Sequence, residues 1–162
     1  MVGLDLGGKS TILFRLCRNR DPHPRVDIGG FNVETYWTKG RKESFTIWDI
    51  SGKDKVRPLW KHYYDGVDGL IFVVDANDHK RMNEACQVLH QVLKDDRVKH
   101  TKLLIFANKI DLDDPMPTSQ LAKALNLDSL ENEYSIQACC GVTGQGLEEG
   151  IDWFREVLAP KP

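Results

Sequence analysis

The sequence predicts an α/β fold, a mostly parallel sheet with helices on both faces. Three observations carry this reading. Gly69–Asp75 (GLIFVVD) and residues 103–107 (LLIFA) are continuous apolar runs, the mark of strands buried on both faces. Strands alternate with helical segments through the second half, the grammar of a parallel sheet covered by its own crossovers. Near the start, a glycine-rich turn runs straight into a helical segment.

The elements follow in order. Residues 3–10 form the glycine-rich turn, and residues 11–18 continue as a helix with apolar Ile12, Leu13 and Leu16. Residues 19–30 hold two prolines and two glycines and read as a long polar loop. Residues 31–38 and Ser44–Ile50 alternate as two strands joined near Lys39-Gly40. Residues 54–64 are a short helical stretch containing a proline. Residues 78–94 carry Ala85, Val88, Leu89, Val92 and Leu93 at i, i+3, i+4, i+7 and i+8, one face of a helix. Residues 118–125 read as a helix with Thr118 or Ser119 available to cap it. Tyr134–Ala138 is a strand, and Leu147–Leu158 a final helix with Leu147, Ile151, Phe154 and Leu158 turned inward.

Composition narrows the function class. A chain of 162 residues with 41% hydrophobic and 28% charged residues buries one core without staples, so residues 1–162 read as a single domain. A net charge of −2 supplies no basic field, so no nucleic-acid partner is expected. No apolar run reaches the roughly 18 residues that span a bilayer, and Met1-Val2-Gly3-Leu4-Asp5 has no signal-peptide character. Cys17, Cys86, Cys139 and Cys140 form no C-x-x-C pair, which reads as reduced thiols in the cytoplasm.

Three motifs carry chemistry. Gly3-Leu4-Asp5-Leu6-Gly7-Gly8-Lys9-Ser10 fits G-x-x-x-x-G-K-[ST] without a mismatch. Successive N–H groups from Asp5, Leu6, Gly7, Gly8, Lys9, Ser10 and Thr11 suit an anion, the Lys9 ammonium suits β- and γ-phosphate oxygens, and the Ser10 hydroxyl suits Mg²⁺. Asp49, at the end of an apolar strand in Trp48-Asp49-Ile50-Ser51-Gly52, suits a second contact to Mg²⁺ through water. Asn108-Lys109-Ile110-Asp111 follows the strand LLIFA. Asp111 there accepts two hydrogen bonds from guanine, whose ring N–H and exocyclic amine adenine does not offer as a pair. Asn108 braces the loop, and the Lys109 stem covers the base. The loop Ala138-Cys139-Cys140-Gly141 adds a weaker signal, with Cys140 and Gly141 beside the base and the Gly141 N–H as a candidate donor to a guanine oxygen. A phosphoryl-transferring kinase has the first motif but no use for the third.

The chain resembles the small GTPases of the ADP-ribosylation factor (Arf/Arl) family, nearest to Arf proper. GLDLGGKSTIL, GFNVET, SFTIWD, KVRPLWKHYY, GLIFVVDANDHKR, LLIFANKIDL and GLEEGIDWF carry the likeness, in order along nearly the whole chain. The resemblance implies a monomeric switch driven by GTP and GDP with Mg²⁺. Nucleotide exchange factors, GTPase-activating proteins and effector or coat proteins of vesicle-mediated protein transport are its implied partners. Golgi or other endomembrane association is implied by the family alone. The family's aromatic effector triad falls on Phe31, Trp48 and Tyr63. GTP is expected to order residues 25–31 and 49–64 and to shift the strand pair between them.

Four departures shape the expectation. The family's apolar strand before Gly3 is reduced to Met1 and Val2, so the first central strand is expected to be missing or truncated, at a cost in stability. Residue 2 is Val and the N-terminal amphipathic helix is absent, so the family's usual membrane contact is not expected. Lys53 stands where the family has its catalytic glutamine, after Gly52, whose amide remains able to meet the γ-phosphate. Lysine has three donors and no acceptor, which predicts slow hydrolysis. In one register Asp27 aligns with the family's Mg²⁺-binding switch threonine, and in a register slipped by one Ile28 takes the position and no ligand remains; the hairpin near residues 39–42 is two residues longer than the family's. A non-catalytic interaction module, or a fold-compromised fragment, stays open as the alternative reading.

Overall fold

The computed structural model describes residues 1–18, 30–40 and 43–159. Helix α1 (Lys9–Arg18) begins inside the glycine-rich motif, two residues before the apolar spacing indicated. Strands β1 (Phe31–Trp37) and β2 (Ser44–Ile50) pair antiparallel, with Phe31 opposite Ile50 and Trp37 opposite Ser44. A 3-10 helix at Arg57–Tyr63 carries its proline in the first turn, where a missing N–H costs nothing. Strands β3 (Gly69–Asp75), β4 (Lys102–Asn108) and β5 (Tyr134–Ala138) form a parallel sheet in the order β3-β4-β5.

Two helix expectations need correction. The segment 78–94 is not one helix. The Asp78 side chain accepts from the Arg81 N–H and closes a 3-10 turn at His79–Arg81, and α2 proper spans Met82–Val92. Neither Thr118 nor Ser119 caps α3 (Thr118–Ala124), because Pro117 holds the capping position in an extended conformation. The last helix, α4 (Leu147–Leu158), buries Leu147, Ile151 and Phe154 as its spacing requires.

The parallel sheet is a wall between two apolar layers. Leu70, Phe72, Leu103 and Ile105 face α2 and α3, while Ile71, Val73, Leu104 and Phe106 face α1 and α4. Both layers are needed because every side chain of a central strand is enclosed, which explains the unbroken apolar runs.

Met1 and Val2 form a single rung between the hairpin and the parallel sheet. The Met1 amine donates to the Trp48 carbonyl at 2.6 Å, and the Ile50 N–H donates to the Met1 carbonyl at 3.1 Å. On the other side, the Val2 N–H donates to Ile71 and Val2 accepts from Val73, both at 2.9 Å. Met1 and Val2 thus run parallel to both β2 and β3 and join the hairpin to the parallel sheet.

Phe72 is fully buried opposite Val2 and Ile105. Phe72→Ala should lower unfolding stability by about 3–5 kcal/mol, seen as a drop in the urea midpoint with an unchanged slope. A loss below about 1 kcal/mol would show that this layer is not packed as described.

Candidate functional site

The site lies at the carboxyl ends of the parallel strands, where β3 and β4 deliver Asp75 and Asn108 side by side. Asn108 is buried and makes three contacts. Its Nδ2 donates to the Gly7 carbonyl at 2.9 Å, and its Oδ1 accepts from the Gly141 N–H at 2.9 Å and the Cys139 thiol at 3.7 Å. One amide therefore ties three loops together: the glycine-rich motif, the loop after β4 and the loop after β5. Gly8 must be glycine here, since its φ is +94° and a Cβ would sit 2.3 Å from Asn108 Nδ2.

Two cavities meet at Gly8, Thr11 and Lys109. The larger, about 420 Å³, is walled by Asp5, Leu6, Gly8, Lys9, Ser10 and Thr11 on one side and by Phe31, Asp49, Gly52 and Lys53 on the other. The smaller, about 160 Å³, is walled by Asn108, Lys109, Asp111 and Gly141, with Leu112 and Val142 as exposed apolar flanks. Nearly all residues that the motifs single out therefore share one connected cleft. Gly7 contributes its carbonyl to Asn108 rather than a wall.

In the larger cavity, the buried Lys9 Nζ donates to the Gly3 and Leu4 carbonyls at 3.2 and 2.9 Å. The ammonium is thus held within the loop that its own backbone forms. Ser10 Oγ donates to Asp49 Oδ2 at 2.5 Å, and Asn32 Nδ2 donates to the same oxygen at 3.2 Å. Asp49 Oδ1 is buried without a hydrogen-bond partner. A hydroxyl and a carboxylate with an unsatisfied buried oxygen form a hard oxygen donor set, which fits Mg²⁺. Asp27, the other candidate ligand, lies outside the described residues.

Gly52 is pressed against the motif. A Cβ there would lie 2.2 Å from the Gly3 carbonyl and 2.5 Å from the Asp5 nitrogen, so only glycine lets this loop approach. Lys53 is exposed on the cavity wall, and its carbonyl starts the following turn by accepting from the Val56 and Arg57 N–H groups. The Trp60 indole N–H reaches back to the Ser51 carbonyl at 2.9 Å, and Arg57 Nε reaches the Gly52 carbonyl at 2.8 Å.

In the smaller cavity, Lys109 adopts a positive φ of 69° and its Nζ pairs with Asp75 Oδ2 at 2.6 Å. This lays the lysine stem along the cavity. The Asp111 carboxylate is exposed. Two features differ from the sequence reading. The Gly141 N–H is committed to Asn108, so a guanine oxygen would have to share it. Cys140 is buried behind the cavity, its N–H given to the Gln145 carbonyl, and does not line it. Burial pushes the Cys139 thiol well above its ordinary range, as befits an inert core group.

Phe31, Trp48 and Tyr63 form a mutual aromatic cluster, with ring centroids 5.5–5.8 Å apart. Phe31 and Trp48 remain 41% exposed, so the cluster is a surface rather than a core. Val33, opposite Trp48 in the hairpin, and Trp37 extend this exposed apolar strip. Sequence alternation held the signal for both, since positions 31, 33, 35 and 37 share one face.

A second group escaped the sequence reading. Arg81 donates to Asp5 at 2.6 Å and to Glu84 at 2.9 Å, and Arg57 meets Glu84 at 2.7 Å and Asp5 at 3.5 Å. This network binds the glycine-rich motif to α2 and to the segment after Gly52. Arg81 and Glu84 are an i, i+3 pair, but no spacing rule joins them to residues 5 and 57. Asn77 likewise braces the base side, donating to the Lys109 carbonyl at 2.7 Å.

The sequence matches the model of the ADP-ribosylation factor family over residues 1–158. Among solved structures, the chain is similar to the Arl6 BBS3 small GTPase from Trypanosoma brucei with bound nucleotide analogue GppNp. The two are 32% identical, with a TM-score of 0.85 over 98% of this chain and 95% of that one.

Hydrogen bonds from Arg81, then from Arg57, hold the Glu84 carboxyl down to about 2 from an ordinary 4.5, and Arg81 lowers Asp5 as well. Both arginines favour the ionised carboxylates, so the network's contribution is complete above pH 4.5 and is lost as pH falls toward 2. Glu84→Gln should therefore flatten the acid limb of a stability-against-pH profile across that window. An acid limb identical to the parent's would show that the network is solvent-screened.

Proposed function

We propose that this chain, which belongs to the ADP-ribosylation factor family, is a guanine-nucleotide switch that binds GTP and GDP with Mg²⁺ and hydrolyses GTP slowly. The observation that carries the reading is the connected cleft. A phosphate-sized chamber with Lys9, Ser10 and Asp49 opens at Gly8 into a base-sized pocket with Asp111.

The roles follow from the groups present. Lys9 and the N–H groups of residues 5–11 neutralise and orient phosphate oxygens at the positive end of α1. Ser10, with Asp49 through water, would hold Mg²⁺, which when bound supplies charge neutralisation between the β- and γ-phosphates. Asp111 selects guanine, because an adenine would leave its carboxylate unpaired. Gly52 is the main-chain contact for a γ-phosphate. Lys53 adds positive charge at that end but has no lone pair with which to accept a proton from an attacking water.

The switch reading draws on the hairpin. Among the described residues, the backbone hydrogen bonds from β2 to the rest of the sheet run only through Met1. A γ-phosphate that recruits Gly52 would act on a hairpin with few ties, and the aromatic strip at Phe31, Trp48 and Tyr63 would move with it. Such a strip suits effector or coat proteins, with large rigid anchors at low entropic cost. A role in vesicle-mediated protein transport, with exchange factors and GTPase-activating proteins as regulators, completes the proposal.

Asp111→Asn should weaken GDP binding by at least about a hundredfold and favour xanthosine diphosphate. Xanthine presents a carbonyl where guanine presents its amine, and the asparagine amide can donate to it. GDP affinity equal to the parent's would remove Asp111 from the base site. For hydrolysis, Lys53→Gln should raise single-turnover GTP cleavage about tenfold or more. An unchanged rate would place the block elsewhere.

A further inference from the structure

Lys109 lines both cavities of the cleft, and its backbone lies in the left-handed region at φ 69°. A lysine keeps that conformation only where its surroundings fix it. It also carries a long flexible stem, whose freedom must be lost before it can cover a base. One short segment of the chain imposes both constraints.

That segment is the carboxyl end of β3. Asp75 stands opposite Asn108 in the β3–β4 register, so its carboxylate is beside the residue that precedes Lys109. Its two oxygens have separate tasks. Oδ1 accepts from the Asn77 N–H at 2.9 Å and closes a tight turn. Oδ2 meets the Lys109 ammonium at 2.6 Å. The turn brings Asn77 to the same lysine, where its Nδ2 donates to the Lys109 carbonyl at 2.7 Å. Asn77 Oδ1 accepts from the Asp114 N–H at 3.2 Å, which pins the loop further on.

The clamp itself rests on a rigid base. Between its two members, the buried Ala76 gives its N–H to the Asn108 carbonyl at 2.9 Å and accepts from the Met116 N–H at 2.8 Å. Lys109 is therefore held at its ammonium and at its carbonyl by one turn that cannot shift without breaking the β3–β4 ladder. Neither Asp75 nor Asn77 lines either cavity, so neither meets a ligand directly. Whatever they do for a ligand, they do through Lys109.

We propose that Asp75 is a positioning residue for the base site: it holds the Lys109 ammonium so that the stem lies along the base pocket before a nucleotide arrives, while Asn77 holds the carbonyl. The inference rests on the guanine-nucleotide reading of the cleft. A wall ordered in advance loses less freedom on binding, and that gain is felt chiefly as slower release. The clamp acts on the stem and not on Asp111. It therefore slows the release of any purine nucleotide that the stem covers, and leaves the choice made at the exocyclic amine unchanged.

Asp75→Asn is the test, since asparagine keeps an oxygen for the Asn77 N–H and removes the charge that holds Lys109. The readout is release of labelled GDP, and of labelled inosine diphosphate, whose base lacks the exocyclic amine, into excess unlabelled nucleotide. Release of both should speed by about fivefold or more, with the ratio between them unchanged. In a Lys109→Met background, which keeps an apolar stem without its ammonium, the same substitution should add less than about twofold. Release at the parent's rate overturns the proposal, and so does equal acceleration in both backgrounds. A narrowed gap between the two nucleotides also overturns it, because a merely loosened loop would displace Asp111. Should Asp75→Asn fail to fold, Lys109→Met alone decides, and GDP release from it at the parent's rate overturns the proposal. A parent chain that holds GDP no better than ADP overturns the guanine reading, and this inference with it.

Discussion

The cleft depends on one buried side chain. Asn108 donates to Gly7 and accepts from Gly141 and Cys139, and through these bonds a strand end holds the glycine-rich motif and the loop after β5 in one frame. Each of those partners is a group that burial would leave unsatisfied without it, at about 1–3 kcal/mol apiece. A neutral amide suits the position because it donates and accepts at once. A carboxylate would lose the donor to Gly7, and an aliphatic side chain would orphan all three partners. Gly8 is the counterpart of this constraint, since the amide occupies the space a Cβ would need.

The opposite wall is built differently. Asp49, Gly52 and Lys53 come from the end of the hairpin and the loop after it, and no buried amide fixes them to the motif. Gly52 approaches by bare van der Waals contact with Gly3 and Asp5. Arg57 and Arg81 supply the longer-range attachment through Asp5 and Glu84, at partly exposed positions. One wall is thus anchored by a buried amide with three partners, and the other by the Ser10–Asp49 hydrogen bond, partly exposed ion pairs and the rung at Met1. That asymmetry is what a ligand-operated device requires, because a weakly tied wall is the one that bound phosphate can reposition.

Much of this was legible in the sequence, for identifiable reasons. The buried strands announced themselves because both their faces need apolar residues, and α4 because Leu147, Ile151 and Phe154 repeat at helical spacing. The phosphate and base motifs are contiguous, so spacing alone places their residues. What spacing could not supply was the partner of each polar group. The Arg81–Asp5 contact joins residues 76 apart, and Asn108–Gly7 joins residues 101 apart. The Gly141 amide looked free for a base because nothing local shows that Asn108 takes it. The segment 78–94 read as one helix because its apolar face starts at Ala85, leaving the 3-10 turn to a side-chain cap that periodicity does not register. Likewise spacing did not show that Met1 and Val2 bridge β2 and β3.

The most direct test of a guanine-selective cleft is the nucleotide that the purified chain carries, released by denaturation and identified by chromatography. Near-stoichiometric guanine nucleotide, with GTP enriched over GDP, is the predicted result: the cleft forms as described and Lys53 slows hydrolysis. A chain that carries no nucleotide, or carries adenine nucleotide, would contradict the central claim that Asn108 and Asp111 assemble a guanine site.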